Sequence, residues 1–320
     1  LAKEEIQKSM DTNKTLKGID LIGDIHGHAE ELRKLLLKLD YTESDGAYSH
    51  PGRTVLFVGD YIDRGPNIKD TLKIIKAMVD KGSALALMGN HEYNALCFHA
   101  QKKGGGHVRS HLNKNIVQHY QTIKQFQNDQ PEYESYIDWF KTLPLYYETD
   151  SFRAVHACWN DSNIKILKES LIDGKLTDEL IAQSAVEGTK LYQAITQTLK
   201  GKELKLPTGS TFEDKDGTDR KEIRIKWWEN PSEMTYKSIS ILPHEALTDD
   251  PIPVSDLQST DYYPPTDKKV FFGHYWLQGE PSLYRNNICC LDYSVAKKGK
   301  LVAYRFDNEA ILDNSKFVYV

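Results

Sequence analysis

Residues 18–28 read GIDLIGDIHGH: an apolar run, Gly18–Gly23, ends in a polar loop, Asp24–His28. Ala29–Leu39 (AEELRKLLLKL) then carries apolar residues at helical spacing, with Glu30 and Glu31 in the first turn, where the helix dipole favours them. The unit recurs twice. Thr54–Val58 (TVLFV) leads through Gly59–Asn67 to a helix predicted from about Ile68 to Lys81, with Asn67 as its N-cap. Ala84–Met88 (ALALM) leads through Gly89–Glu92 to another helical stretch. Repeated strand–loop–helix units imply parallel strands joined by right-handed crossovers. In such sheets, ligands gather beyond the C-terminal ends of the strands.

Working outward, Gly104–Gly106 breaks the third helix, and a mostly polar helix is predicted from about Val108 to Gln127. Tyr136–Leu143 stops at Pro144, and Phe152–Val155 enters His156 as a strand. Strands return at Val270–Phe272, Ile288–Leu291 and Leu301–Phe306. Between these blocks, Asp161–Asp261 differs in character. It holds 19 acidic and 13 basic residues, a net of −6, so the rest of the chain (net −5 overall) sums to +1. Two helices are predicted there, near Asn163–Leu171 and Thr177–Leu199, with an exposed loop at Gly209–Gly217 and a surface-wrapping stretch at Pro243–Pro265. The expected organisation is a tail at 1–17 and one catalytic domain over 18–320, carrying an acidic insertion or cap at about 161–262.

Composition limits the classes of function. With 39% hydrophobic and 27% charged residues, the 320-residue chain has the make-up of a globular protein rather than a disordered one. The net charge disfavours general nucleic-acid binding. Mean hydropathy is −0.56, and no apolar run approaches the roughly 18 residues of a membrane span. Leu1–Glu5 has no apolar signal core, and Cys97, Cys158, Cys289 and Cys290 show no CxxC spacing. The expected setting is the reducing cytoplasm.

The loops carry the chemistry. Asp24 and His26, two apart, project to one side of an extended backbone. Asp60, Asn90, His156 and His274 also follow apolar strand runs. This oxygen and nitrogen set suits Mn, Fe or Zn, and it is too rich in histidine for Ca or Mg alone. Six ligands exceed one tetrahedral site. With one bridging carboxylate they fill two sites about 3.5–4 Å apart, as in two-metal phosphate hydrolases.

GDIHG, GDYIDRG and GNHE, in this order and spacing, resemble the signature of the calcineurin-like metallophosphoesterases. The DRG narrows the resemblance to the phosphoprotein phosphatase branch, which also holds bacterial diadenosine tetraphosphate hydrolases. It is strong over Gly18–Trp159, including LPLYYETDSFRAVHAC, and weaker over Val270–Phe306, where FGHYW and LDYSVAKKGKLVAYRF are similar to the last metal loop and closing strands. The implied fold is α/β: a β-sandwich flanked by helices in α/β/β/α layers, with a dimetal site at strand C-terminal ends.

Carried over residue by residue, the resemblance implies that Asp24, His26 and Asp60 hold one divalent metal. Asp60 bridges to a second, completed by Asn90, His156 and His274. Mn is the favoured ion, with Fe, Zn, Ni or Co as alternatives. His91 becomes the general acid with Asp63 as its partner, and Arg64 clamps phosphate oxygens beside Asn90. A hydroxide bridging the metals attacks phosphorus in line. A carboxylate-held imidazole is a suitable acid near neutral pH, and a guanidinium fork matches phosphate oxygens.

Three departures stand out. Ala157-Cys158 follows His156 where the family often has two glycines. Tyr275-Trp276 follows His274 where the wider superfamily places a second histidine. The stretch between His156 and His274 is long. Arg224, with Trp227, Trp228 and Asn230, is a candidate phosphate or nucleobase contact, with core packing as the alternative. Arg109 and Arg153 are further candidate clamps. His107 and His111, one helical turn apart, read as a solvated helix face. The leading expectation is a metal-dependent phosphoesterase acting on phosphoprotein or small phosphomonoesters. The alternatives are a dinucleotide polyphosphate hydrolase and a non-catalytic binding module on a phosphatase fold. Oligomeric state stays open.

Overall fold

The computed structural model describes residues 18–207, 209–213, 219–242, 244–257 and 261–320. The tail expected at 1–17 lies outside them, as do parts of the stretches expected at 209–217 and 243–265.

The chain enters at β1 (Gly18–Ile22), crosses α1 (Ala29–Lys38) and forms a hairpin of β2 (Thr42–Ser44) and β3 (Ala47–Ser49). It continues through β4 (Arg53–Phe57), α2 (Ile68–Asp80), β5 (Ala84–Ala86) and α3 (Asn90–His99). Two helices follow, α4 (Asn113–Phe126) and α5 (Gln130–Lys141), then the pair β6 (Tyr146–Glu148) and β7 (Phe152–Val155). The acidic segment contributes α6 (Asp161–Ser170), α7 (Asp178–Ser184), α8 (Lys190–Lys200), the short strands β8 (Glu203–Lys205), β9 (Phe212–Glu213), β10 (Asp219–Arg220) and β11 (Glu222–Arg224), and α9 (Tyr236–Ile239). The chain closes with β12 (Lys269–Phe272), β13 (Ile288–Cys290), β14 (Asp292–Tyr293), β15 (Lys300–Phe306) and β16 (Phe317–Tyr319).

Two sheets make the sandwich. One has the order β14-β15-β1-β4-β5, with β16 added on β15; the other runs β13-β12-β7-β6. Leu21, Ile22, Leu56 and Phe57 are fully buried, as expected of parallel strands covered on both faces. Phe152 and Phe271 of the second sheet pack on Tyr304 and Phe306 of the first, with ring centroids 5.2–5.6 Å apart in three of these pairs.

Register positions the site. Ile22 lies beside Phe57, and Phe57 beside Ala86, so three parallel strands end together and their loops leave one edge. In the second sheet Phe271 lies beside Ala154, and the Gly273 N–H donates to the His156 carbonyl at 2.8 Å. His156 and His274 therefore emerge side by side.

Several expectations need correction. The helix predicted over Thr177–Leu199 is two helices, because Gly188 takes φ +82° and Thr189 caps α8 through the Tyr192 N–H. Asn67 makes no side-chain cap; instead the Ile68 N–H donates to Gln125 Oε1 at 2.7 Å. The helix predicted from Val108 starts at Asn113, because the Val108 and Arg109 N–H groups are held by Ala100 and Cys97 carbonyls. His107 and His111 thus lie outside a helix, their rings stacked 3.9 Å apart.

Candidate metal centre

The strand-end loops hold an unusual backbone. His26, Asp60, Asp63, Arg64, His274 and Trp276 all have φ between +46° and +75°. Non-glycine residues pay a steric cost there, and such strain persists only where the surroundings over-determine it. Glu92 supplies much of that restraint. Its carboxylate, fully buried, accepts the N–H groups of Gly89 (2.9 Å), Asp60 (2.9 Å) and Tyr61 (2.8 Å), tying the second loop to the third. Burial and the repulsion of Asp60 push its carboxyl up to about 7. Glycine is required where ligands crowd the backbone: a Cβ on Gly273 would stand 1.9 Å from Asp24 Oδ1, and one on Gly89 would stand 2.2 Å from Asp60 Oδ1.

Hydrogen bonds orient the imidazoles. His26 Nδ1 donates to the Ile62 carbonyl at 2.9 Å and His156 Nδ1 to the Val58 carbonyl at 2.9 Å. A carbonyl only accepts, so each ring is left with a lone pair on Nε2. Those lone pairs meet Asp60 from two sides. His26 Nε2 is 3.6 Å from Asp60 Oδ2, while His156 Nε2 is 3.4 Å from Oδ1. Asn90 Oδ1 lies 3.1 Å from His156 Nε2 and 2.7 Å from His274 Nδ1. Two donor clusters result, His26–Asp60–His91 and Asp60–His156–His274, sharing Asp60. Asp24 is buried beside them, and both its oxygens accept the His274 N–H.

The electrostatics call for cations. Burial, then Asp292 and Asp60, raise the Asp24 carboxyl well above the usual range. Burial opposes ionisation of Asp60, yet His156 and His91 hold it well below. Burial and the neighbouring His91 lower His26 to about 3, which keeps it a neutral ligand. Among the described residues, His26 Nε2 has no hydrogen-bond partner although it is buried. Convergent carboxylates, an orphaned imidazole nitrogen and no thiolate fit two divalent ions with oxygen and nitrogen ligands.

Beside the clusters, His91 Nδ1 donates to Asp63 Oδ2 at 2.6 Å, and its Nε2 stands 4.0 Å from Asp60 Oδ2. Arg64 is exposed and stacks on Trp276, 4.1 Å from the ring centre. The other clamp candidates separate. Arg153 is engaged by Glu148 (2.9 Å), Asp161 and Tyr263, which makes it structural. Trp227 and Trp228 are buried against Phe272, with centroids 5.2 and 5.4 Å away, so they are core and present no face to a base. Arg224 is partly exposed on β11, 3.9 Å from Glu203.

Three residues went unseen in the sequence: Asp292, His119 and Thr122. Asp292, fully buried, accepts the Trp276 N–H (2.7 Å) and the Ser294 N–H (2.9 Å), fixing the loop after His274. His119 Nδ1 donates to Asp63 Oδ1 at 2.7 Å, and its Nε2 meets the Tyr133 hydroxyl at 2.6 Å. Thr122, three residues on along α4, donates to the same Asp63 oxygen at 2.6 Å. The i, i+3, i+7 spacing of His119, Thr122 and Phe126 was the available signal.

Residues 18–275 match the family described as calcineurin-like phosphoesterase. Among curated proteins, the chain is similar to the asymmetrical bis(5'-nucleosyl)-tetraphosphatase PrpE of Oceanobacillus iheyensis, at 30% identity over 140 residues. That alignment covers 43% of this chain and 54% of the relative. The same-named protein of Halalkalibacterium halodurans is 45% identical over 73 residues, 22% of this chain and 30% of that one. The match thus spans about half or less of these relatives. A protein serine/threonine phosphatase structure from Saccharomyces cerevisiae superposes with a TM-score of 0.52 at 11% identity, over 97% of this chain and 80% of that one, and shows a common fold. Among the described residues, no helix is long and apolar enough to cross a membrane.

Proposed function

The chain belongs to the calcineurin-like phosphoesterase family, and we propose that it is a metal-dependent hydrolase of dinucleoside polyphosphates. The observation that carries the hydrolytic reading is Asp60, whose two oxygens face two separate imidazole clusters. The substrate reading rests on the similarity to asymmetrical bis(5'-nucleosyl)-tetraphosphatases, which favours the dinucleotide alternative over phosphoprotein or a small phosphomonoester.

In this reading Asp24, His26 and Asp60 hold one ion, and Asp60, Asn90, His156 and His274 hold the other; Mn²⁺ is the ion we assign. Two such ions supply Lewis acidity to the phosphoryl group and acidify the attacking water. Arg64, braced on Trp276, holds phosphoryl oxygens with a planar fork of donors. His91 presents Nε2 to the site and delivers a proton to the leaving oxygen. Asp63 fixes that tautomer by accepting from Nδ1.

The test is hydrolysis of diadenosine tetraphosphate by the full chain with Mn²⁺, scored by chromatography against a phosphopeptide and an aryl phosphate. The expected products are a nucleoside mono- and triphosphate, with the reaction abolished by EDTA. Preference for the phosphopeptide would restore the phosphoprotein reading. Failure on all three substrates in every divalent ion, with less than one metal bound per chain, would point to a binding module.

A further inference from the structure

The acidic segment delivers cations to the edge of the metal centre. The end of α8 is clamped between two of the proposed ligand loops. The Thr198 carbonyl accepts the N–H groups of Ala157 (3.0 Å) and Cys158 (3.3 Å), the residues that follow His156. Gly201, with φ +83°, lies so close to Tyr275, which follows His274, that a Cβ there would stand 2.2 Å from the tyrosine hydroxyl. Lys200 leaves the helix at this junction.

Two guanidinium groups share the neighbourhood. The β8–β11 ribbon pairs Glu203 with Arg224, and the Ile225 N–H donates to the Lys202 carbonyl at 3.1 Å, which places Arg224 alongside the chain leaving Lys200. Arg109, in the loop before α4, is held by Asn94 Oδ1 (2.6 Å) and Gln118 Oε1 (2.5 Å). Asn94 sits one turn along α3 from Asn90, so this guanidinium is anchored one helical turn from the proposed metal ligand.

Counter-charge for the three cations is sparse among the described residues: Glu203, beside Arg224, also acts on Lys200, and Asp63 acts on Arg109 through its charge alone. Arg109 is fixed by neutral amides. Among the described residues, no carboxylate lies within ion-pair distance of Lys200, and Glu203 reaches Arg224 only at 3.9 Å. Burial, then the charge of Arg109, lowers the Lys200 ammonium from its ordinary value, and Arg224 adds to the effect. Like charges gathered in a half-buried place are costly unless an anion joins them.

We propose that Lys200, with Arg109 and Arg224, forms an anion subsite beside the metal centre that holds the non-scissile phosphates of a polyphosphate chain. The proposal rests on the dinucleotide reading for its biological substrate, but its chemistry is that of an inorganic polyphosphate. It assigns the acidic segment a role as a specificity element. The segment's net charge is negative, while the cations nearest the metal loops are positive and selective for chains of more than one phosphate. Charge-assisted hydrogen bonds of this kind are roughly twice as strong as neutral ones.

Calorimetric titration of the metal-loaded full chain, in saturating Mg²⁺, with inorganic tripolyphosphate and with orthophosphate tests it by binding, with orthophosphate release assayed in the same samples to correct for any cleavage. Tripolyphosphate is expected to bind at least tenfold tighter than orthophosphate. Lys200→Met should cut that ratio about tenfold, and Lys200→Arg should keep it within about threefold of the original. An absent preference, a Lys200→Met ratio equal to the parent's, or an arginine variant as poor as the methionine one overturns the subsite. A preference lost in Lys200→Met by a chain that never cleaves diadenosine tetraphosphate would support the subsite and refute the substrate reading instead.

Discussion

The shell around Asp60 and the segment 161–261 spend their residues in opposite ways. In the shell, strands are buried on both faces, the carboxylates of Asp24, Asp60, Asp63, Glu92 and Asp292 sit almost without solvent, and six loop residues are held in the left-handed region. In the segment, strands are two or three residues long. A separate apolar cluster of Leu204, Ile223, Ile225, Tyr236, Ile239, Leu247 and Ile252 supports its β8–β11 side. Its charges are mostly on the surface, as Asp178 and Asp249, 78% and 75% exposed, illustrate. The contrast teaches where rigidity is needed. Buried charge and backbone strain survive only inside a network that leaves no alternative. Selectivity can be carried by a less constrained element that touches the site at one edge.

The sharpest way to break the comparison is at Asp60. Asp60→Asn removes the only carboxylate common to both clusters. The expected result is a loss of at least about 10³-fold in kcat/KM together with loss of metal, read by elemental analysis of the purified variant. The segment should keep its amide-exchange pattern. A variant that binds two metals and turns over within tenfold of the parent would remove the premise of a shared bridging ligand.

Next in size is the proton-delivery arm. Burial works to lower His91, yet Asp60 and then Asp63 raise it above the ordinary imidazole value. A general acid acts in its protonated form, so activity is present below its pKa and lost as pH rises through it. Asp63→Asn withdraws a charge that favours the imidazolium, so the alkaline limb of the pH–rate profile should move to lower pH. The rate near neutrality should fall about 10²-fold. His119→Phe leaves Asp63 charged but removes one of its anchors, and about a tenfold loss with a smaller movement of the limb is expected. An unmoved limb in Asp63→Asn would mean another group supplies the proton.

How far these regions can be read from sequence follows from the same contrast. The placement of Asp24, His26, Asp60, Asn90 and His91 beside one another was legible because each follows an apolar run whose end marks a strand edge. That these strands run parallel was legible from the repeated strand–loop–helix order; the register that aligns Ile22, Phe57 and Ala86 was not. Asp292 and His119 were not, because each acts on a residue far away in the chain: Trp276 in one case, Asp63 in the other. The left-handed φ values at His26, Asp60 and His274 have no sequence signature, since Asp and His also occupy ordinary turns. In the segment, local pattern misled. Thr177–Leu199 reads as one helix until Gly188 is seen to turn the chain. For the Trp227-Trp228 pair the sequence left a ligand contact and core packing both open, and the packing against Phe272 decides for the core.

A smaller effect should separate the two cores. Ile239, fully buried in the segment's cluster, loses about 2–4 kcal/mol of local packing in Ile239→Ala. If the segment opens as its own cooperative unit, amide exchange should quicken more than tenfold over Glu222–Arg224 and Tyr236–Ile239 and stay unchanged over Gly18–Ile22 and Arg53–Phe57. Uniform quickening would show that the segment and the shell unfold as one, and the contrast between them would then be one of composition alone.

The smallest expected effect addresses the acidic charge itself. Asp178 pairs with Lys141 at 2.8 Å and Asp249 with Lys237 at 3.4 Å, both at the surface. Exposed pairs contribute about 0–1 kcal/mol and are screened beyond roughly 8 Å at physiological salt. The double variant Asp178→Asn, Asp249→Asn should therefore change kcat/KM for a polyphosphate substrate less than about twofold. Its stability should shift by no more than about 0.5 kcal/mol. A gain of several-fold that disappears at high salt would mean that the outward carboxylates repel the substrate after all. The segment would then oppose, rather than assist, the binding of anions at Lys200. Because Lys200 and the two aspartates lie on one segment with opposite signs of charge, measuring both variants at two salt concentrations tells a local contact from a general field: only the field should fade with ionic strength.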